Sequence, residues 1–259
     1  MGPPPKSPPR GTKPPTPPPR ARPPPPHPPP ARDPALPSPF DAATLERRAG
    51  NKAALQRRLG LPPRPEVPLL GVVNRLADQK GIDILLPALE RLLPQRDVQF
   101  ALLGTGERTY EERFRELAAR FPQRAACVIA FDDALARLIY GGCDVFLMPS
   151  RFEPCGLGQM IAMRYGSIPL ARRTGGLADT IQDCTPDLGS GTGFLFDAYT
   201  PEALLEAVHR AVAAWGRQDA WQALQRRAMA QDFSWDASAR RYVAVYNELR
   251  RRKQVSTPA

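Results

Sequence analysis

The sequence predicts an α/β protein built on a Rossmann-like, doubly wound parallel sheet, with a disordered proline-rich N-terminal tail. Three observations predict it. From residue 67 onward, short apolar runs alternate with segments whose apolar residues recur at helical spacing. The short runs are almost continuously apolar, as strands buried on both faces are. The least ordinary residues then gather at the carboxyl ends of those runs, where an open parallel sheet binds its ligands.

In chain order, Val67–Val73 is the first strand, and Gly81–Leu93 is a helix with apolar residues at 82, 85, 86, 89, 92 and 93. Val98–Leu103 is a strand closed by Gly104-Thr105-Gly106, and Tyr110, Phe114, Leu117, Ala118 and Phe121 make the next helical stripe. Cys127–Phe131, Asp144–Met148, Ile168–Ala171 and Gly193–Phe196 are further strands. Between them lie helices at Ala134–Tyr140, Leu157–Tyr165 and Leu177–Asp183; three more follow at about 201–215, 218–231 and 236–252. Asp33–Asn51 reads as a linker entering a helix around Leu45–Leu59. The expected division is a tail at 1–40, a linker and helix at 41–66, a Rossmann-like domain at 67–252 and a disordered C-terminus at 253–259.

Composition separates the tail from the rest. Residues 1–40 hold 20 of the 33 prolines, so that segment can form neither helix nor sheet and is expected to be disordered or polyproline-like. It also holds six Lys or Arg against one Asp, half of the net charge of +10. Prolines dilute those cations and no aromatic residues interleave them, which argues against nucleic acid as the main partner. No 18-residue apolar span points to a membrane helix. Cys127, Cys143, Cys155 and Cys184 form no Cys-x-x-Cys pair and read as reduced thiols of a cytoplasmic protein, with a plastid as the alternative. No metal-ligand spacing is present, and His27 and His209 fall where neither looks catalytic.

Five turns carry the candidate site. Arg75 and Lys80 end one strand and precede one helix; two cations there suit a diphosphate, although an ordinary polar loop fits too. Gly104 and Gly106 make a tight turn that either contacts a nucleoside or only reverses the chain. Phe131 either stacks on a base or belongs to the core. Glu153, at the mouth of a buried strand, can accept hydrogen bonds from sugar hydroxyls or cap the helix behind Pro154, while Gly156 and Leu157 offer backbone N–H groups. Thr174-Gly175-Gly176 lets backbone approach a phosphate or sugar, or is a plain turn. Two turns of this design suggest a sugar-nucleotide site.

Together the segments resemble one family closely. Asn51-Lys52-Ala53-Ala54-Leu55-Gln56, Asn74-Arg75-Leu76 with Gln79-Lys80-Gly81, Leu103-Gly104-Thr105-Gly106, Met148-Pro149-Ser150-Arg151-Phe152-Glu153-Pro154-Cys155-Gly156-Leu157, Arg172-Arg173-Thr174-Gly175-Gly176-Leu177-Ala178-Asp179-Thr180 and Phe233-Ser234-Trp235 are similar to the C-terminal domain of bacterial glycogen synthase and plant starch synthase. The similarity runs from about Asp33 to about Arg250. It implies one half of a GT-B fold and a retaining transfer of glucose from ADP-glucose to the non-reducing end of an α-1,4-glucan. By matching, Arg75 and Lys80 would hold the diphosphate, Glu153 the glucose hydroxyls, and Cys155, Gly156 and Leu157 the sugar and phosphate pocket. Phe131 falls where the family carries an aromatic near adenine. No cofactor or metal is implied, the two cations taking that electrostatic role. The departing phosphate would help deprotonate the acceptor.

The chain departs from the family at Gly158, where some members have Thr, at Ile161, where related transferases have a second Glu, and at Ala130, where Gly is common. The family's N-terminal domain has no counterpart here. Residues 1–32 stand in its place, so the chain by itself is expected to turn over feebly or not at all, and a separate N-terminal half becomes an expected partner. The late helices would then expose apolar surface. Two other functions remain open at this level: a nucleotide-sugar or glucan-binding module with a proline-rich docking tail, and a GT-B transferase using UDP-glucose.

Overall fold

A computed structural model describes residues 28–255; the expectations for residues 1–27 and 256–259 lie outside the described residues. A 3₁₀ turn at Leu45–Arg47 leads into helix α1 (Arg48–Arg58). Six strands follow: β1 (Leu69–Val73), β2 (Gln99–Leu103), β3 (Ala125–Val128), β4 (Val145–Met148), β5 (Ile168–Arg172) and β6 (Phe194–Phe196). Between them lie α2 (Ile82–Gln95), α3 (Arg108–Arg120), α4 (Asp133–Gly142), α5 (Gly158–Arg164) and α6 (Gly175–Thr180), and after them α7 (Pro201–Trp215), α8 (Gln218–Met229) and α9 (Trp235–Val255). All pairs are parallel, in the order β3-β2-β1-β4-β5-β6. The helices sort into two layers, α2 with α3 and α7, and α1 with α4, α5 and α8. The doubly wound sheet is therefore as expected.

The chain order reverses direction between β1 and β4, and that pair differs from the others. Only Leu70 with Val145 and Gly71 with Phe146 are in register, whereas β1 pairs with β2 at five positions. The neighbours are held at their amino ends and part toward their carboxyl ends, which opens a crevice at the switch point.

A buried ionic row holds the closed end. Arg48, Lys52 and Gln56 are spaced four apart, so they share one face of α1. Asp144, just before β4, accepts the Leu69 amide at 2.8 Å, and its carboxylate lies 2.7 Å from the Lys52 ammonium and 3.7 Å from Arg48. Arg48 also donates to Ser167 Oγ at 2.7 Å, to the Tyr165 carbonyl at 3.0 Å and to the Cys143 carbonyl. Gln56 donates to Gln99 Oε1 at 2.6 Å, tying β2 to the same helix. Each buried charge thus has a partner, as burial requires.

Four expectations are corrected. The tail does not extend to residue 40: Leu36, Phe40 and Asp33 are buried, and Asp33 accepts from the Tyr165 hydroxyl at 2.6 Å and pairs with Arg137 at 3.0 Å. Apolar anchors and a paired carboxylate hold this stretch to the domain despite its prolines. The third strand begins at Ala125 rather than Cys127 and ends at Val128, because small buried Ala125 and Ala126 pair with Phe100 and Ala101. The helix expected at Leu177–Asp183 starts on Gly175 and stops at Thr180. The C-terminus expected to be disordered from residue 253 continues helix α9 to Val255.

Asp144→Ala strands two buried cations and one amide. It is expected to lower the unfolding free energy by about 3–5 kcal/mol, read from urea denaturation.

Candidate active site

The crevice is walled by the loops that leave β1 and β4. After β1 the chain runs through Asn74 and Arg75 to a 3₁₀ turn at Asp78–Lys80 and then Gly81, whose φ is 75°. A side chain at Gly81 would put its Cβ 1.9 Å from the Pro149 carbonyl oxygen, so glycine is required for the β1 loop to touch the β4 loop. The Arg151 amide then donates to the Gln79 carbonyl at 2.9 Å.

These contacts bring Lys80 to Glu153. The ammonium lies 2.6 Å from Glu153 Oε2, which also accepts from Ser150 Oγ at 3.2 Å. Glu153 is 7% exposed, and Ser150 is fully buried. The capping alternative for Glu153 is excluded: α5 begins at Gly158, five residues on, its N-cap is Leu157, and no side chain caps it. The carboxylate therefore sits at the crevice held by a cation and a hydroxyl, with lone pairs left to accept further hydrogen bonds.

At the carboxyl ends of β1, β2 and β3 is a cleft of about 480 Å³. Arg75, Gly104 and Phe131 line it, with Asn74, Thr105 and Asp132. Phe131 is 96% exposed, so the core alternative is excluded and its ring forms a rim. Asp132 caps α4 by accepting the Leu135 amide at 2.8 Å and pairs with Arg58 at 2.5 Å, which fixes the base of that rim. Arg75 is exposed and donates to Gln79 Oε1 at 3.0 Å.

The remaining expected residues divide. Cys155 and Leu157 are exposed and Gly156 is half-buried with φ 73°, all on the loop after Glu153. Thr174 is half-buried and Gly175 exposed at the start of α6. Gly106 departs from its expected place: it lies outside the cleft, bridged to Leu76, with its amide donated to Glu111 at 3.0 Å. Gly176 departs too. It is buried, its amide donates to the Glu153 carbonyl at 3.0 Å, and an added Cβ would lie 2.0 Å from the Cys155 carbonyl oxygen. It shapes the loop that carries Glu153 rather than facing the crevice. A missed residue does related work. Gln159 is fully buried, and its Nε2 lies 3.1, 3.0 and 3.1 Å from Cys155 O, Gly156 O and Thr180 Oγ1, while its Oε1 has no partner among the described residues. Its place two residues after the Met148–Leu157 segment was the only signal for it in the sequence.

The family model for glycosyl transferases group 1 matches residues 57–227. The chain belongs to that family. It is 54% identical over 214 residues to the glycogen synthase of Anaeromyxobacter dehalogenans strain 2CP-1, covering 83% of this chain and 44% of the relative. It is 48% identical over 214 residues to the glycogen synthase of Trichodesmium erythraeum, covering 83% of this chain and 46% of that one. Among solved structures, the catalytic domain of starch synthase IV from Arabidopsis thaliana bound to ADP and acarbose superposes with a TM-score of 0.76 at 37% identity, covering 85% of this chain and 46% of that chain. The chain thus spans slightly less than half the length of these relatives. Its sheet is one Rossmann-like half of the GT-B architecture of this glycosyltransferase family. No helix among the described residues is long and apolar enough to cross a membrane.

All four cysteines are free thiols, and burial pushes Cys127 and Cys143 up to about 12 and Cys184 up to about 11. Cys155, exposed two residues after Glu153, should therefore react alone with a thiol reagent at pH 8 in the folded chain, the others following only on unfolding. Mass-spectrometric mapping of the labelled cysteine checks this. Because those three thiols bind protons more tightly folded than unfolded, the stability they add is complete below about pH 8.5 and is lost as pH rises through 11 to 12.

Proposed function

We propose that this chain is the donor-binding half of a glycogen or starch synthase, which transfers glucose from ADP-glucose to the non-reducing end of an α-1,4-glucan with retention. The observation that carries the reading is the pairing of half-buried Lys80 with buried Glu153 at the switch-point crevice, on the same sheet edge as a cleft lined by Arg75, Gly104 and Phe131. It stands in a chain 54% identical to a glycogen synthase and 37% identical to a starch synthase whose structure holds ADP and acarbose.

In this reading adenine stacks on Phe131, and the diphosphate lies between Arg75 and Lys80. The two cations stabilise charge as the glucosyl bond breaks, in a crevice where fixed charges act more strongly than in water. Glu153 accepts hydrogen bonds from the glucose hydroxyls. Lys80 serves both ends of the donor: in the free protein it holds Glu153 in place, and when the donor arrives its ammonium turns part of its donor capacity to phosphate. Cys155, Gly156, Leu157, Thr174 and Gly175 border the sugar. The acceptor deprotonates toward the leaving phosphate, so no further base is required of this chain.

The other half of the fold would supply the acceptor groove and close on the donor. The surface of α9 fits that arrangement. Trp235 is 89% exposed, and Tyr242, Val243, Val245 and Tyr246 are exposed on the same helix, a concentration of exposed apolar side chains of the kind that marks an interaction surface.

Calorimetric titration tests the reading. ADP and ADP-glucose should bind the chain, UDP much more weakly; binding of none of the three would overturn it. In a chain completed by an N-terminal half, Arg75→Ala or Lys80→Ala should each cost about 2–4 kcal/mol in kcat/KM. Glu153→Gln should weaken ADP-glucose while sparing ADP; an equal loss of both would remove its role as a sugar ligand.

A further inference from the structure

We infer that Tyr199 and Arg172 are positioning residues for donor binding: together they set the spacing between the Lys80 loop and the Glu153 loop. The inference rests on the donor-binding reading above and adds to it two residues that touch neither nucleotide nor sugar in that reading. Tyr199 lies just after β6, outside both loops. Its hydroxyl donates to the Asp83 carboxylate, with the Asp78 carbonyl oxygen 3.2 Å away, so it grips the turn that carries Lys80 on both sides. The guanidinium groups of Arg151 and Arg172 lie 4.9 and 5.4 Å from its ring centroid. Arg151 continues the tie by pairing with Asp83 at 2.9 Å.

Arg172 holds the other loop. Its guanidinium donates to the Ser150 carbonyl at 3.2 Å, the Arg151 carbonyl at 2.7 Å and the Asp197 carbonyl at 3.3 Å. Three carbonyls from two loops thus converge on one planar cation, a geometry lysine cannot reproduce. Ser150, whose carbonyl is held, is also the residue whose hydroxyl donates to Glu153. The path from the Lys80 turn to Glu153 therefore runs through Asp83, the Tyr199 ring, Arg172 and Ser150, each link a stated contact.

The consequence is specific. ADP needs the cation side of the crevice alone, whereas ADP-glucose needs Lys80 and Glu153 at a fixed separation. Loosening the strut should thus cost the sugar-bearing ligand more than the nucleotide. Tyr199 is also held neutral, since burial and the hydrogen bond to Asp83 push its phenol up to about 12.

Isothermal titration of the 259-residue chain with ADP and ADP-glucose tests this, on the unsubstituted chain, Tyr199→Phe, Arg172→Lys and each of these combined with Glu153→Gln. Tyr199→Phe keeps the ring and Arg172→Lys keeps the charge, so both are expected to fold, which circular dichroism checks. The expected result is about tenfold weaker ADP-glucose binding with ADP changed less than twofold, and an effect below twofold once Glu153 is already Gln. Equal weakening of both ligands, full additivity with Glu153→Gln, or unchanged ADP-glucose binding would each overturn the inference. If the unsubstituted chain binds neither ADP nor ADP-glucose, the donor-binding reading fails first and takes this one with it; that outcome is visible before any variant is compared.

Discussion

One buried carboxylate organises the sheet. Asp144 takes the Leu69 amide, the Lys52 ammonium and the Arg48 guanidinium at once, so the start of β1, the start of β4 and helix α1 converge on it. A charge in that setting is tolerable only with every partner in place. Its position fixes β1 against β4 at their amino ends. Because the two strands share just two registered pairs, they are free to part at the other end. The crevice is thus a consequence of where the strands are tied.

What fills the crevice mouth follows from backbone shape. The β1 and β4 loops meet at Gly81 and Pro149 more closely than any side chain would allow, and the second turn, at Gly176, presses on the Cys155 carbonyl in the same way. These contacts leave little freedom for the loop between Ser150 and Cys155. A carboxylate on that loop can be presented at a defined place with 7% of its surface exposed, held there by one ammonium and one hydroxyl. The site is accordingly preorganised by main-chain packing, with side chains adding direction rather than fold.

The two ends of the sheet also divide their chemistry. At the amino end, Arg48, Lys52 and Asp144 are paired with one another and with buried carbonyls, and Gln56 is bonded to Gln99. At the carboxyl end, Arg75 is exposed, and the Glu153 carboxylate has one ammonium and one hydroxyl as partners, fewer than its oxygens can accept. Similar residue types are therefore structural at one edge and available for a ligand at the other. Burial and partner count, rather than residue identity, separate the two.

The sequence by itself determined the alternation of strands and helices, the burial of the strands on both faces, and the gathering of Arg75, Lys80, Gly104 and Glu153 at turns. Those features are local: periodicity reports which face is buried, and glycines, prolines and charges report where an element stops. Tertiary structure decided the rest. Lys80 and Glu153 are 73 residues apart in the chain, and their contact exists because β1 and β4 are neighbours, a matter of strand order that no local pattern encodes. Phe131 looks the same in sequence whether it ends a strand or stands in solvent; pairing of β3 from Ala125 to Val128 leaves it outside. Gly104, Gly106 and Gly176 carry the same turn signal, and only the neighbouring backbone shows that each is pressed against another loop. The anchoring of Asp33 and Phe40 was hidden by the prolines around them, since composition averages over a window while a buried hydrogen bond acts through single atoms.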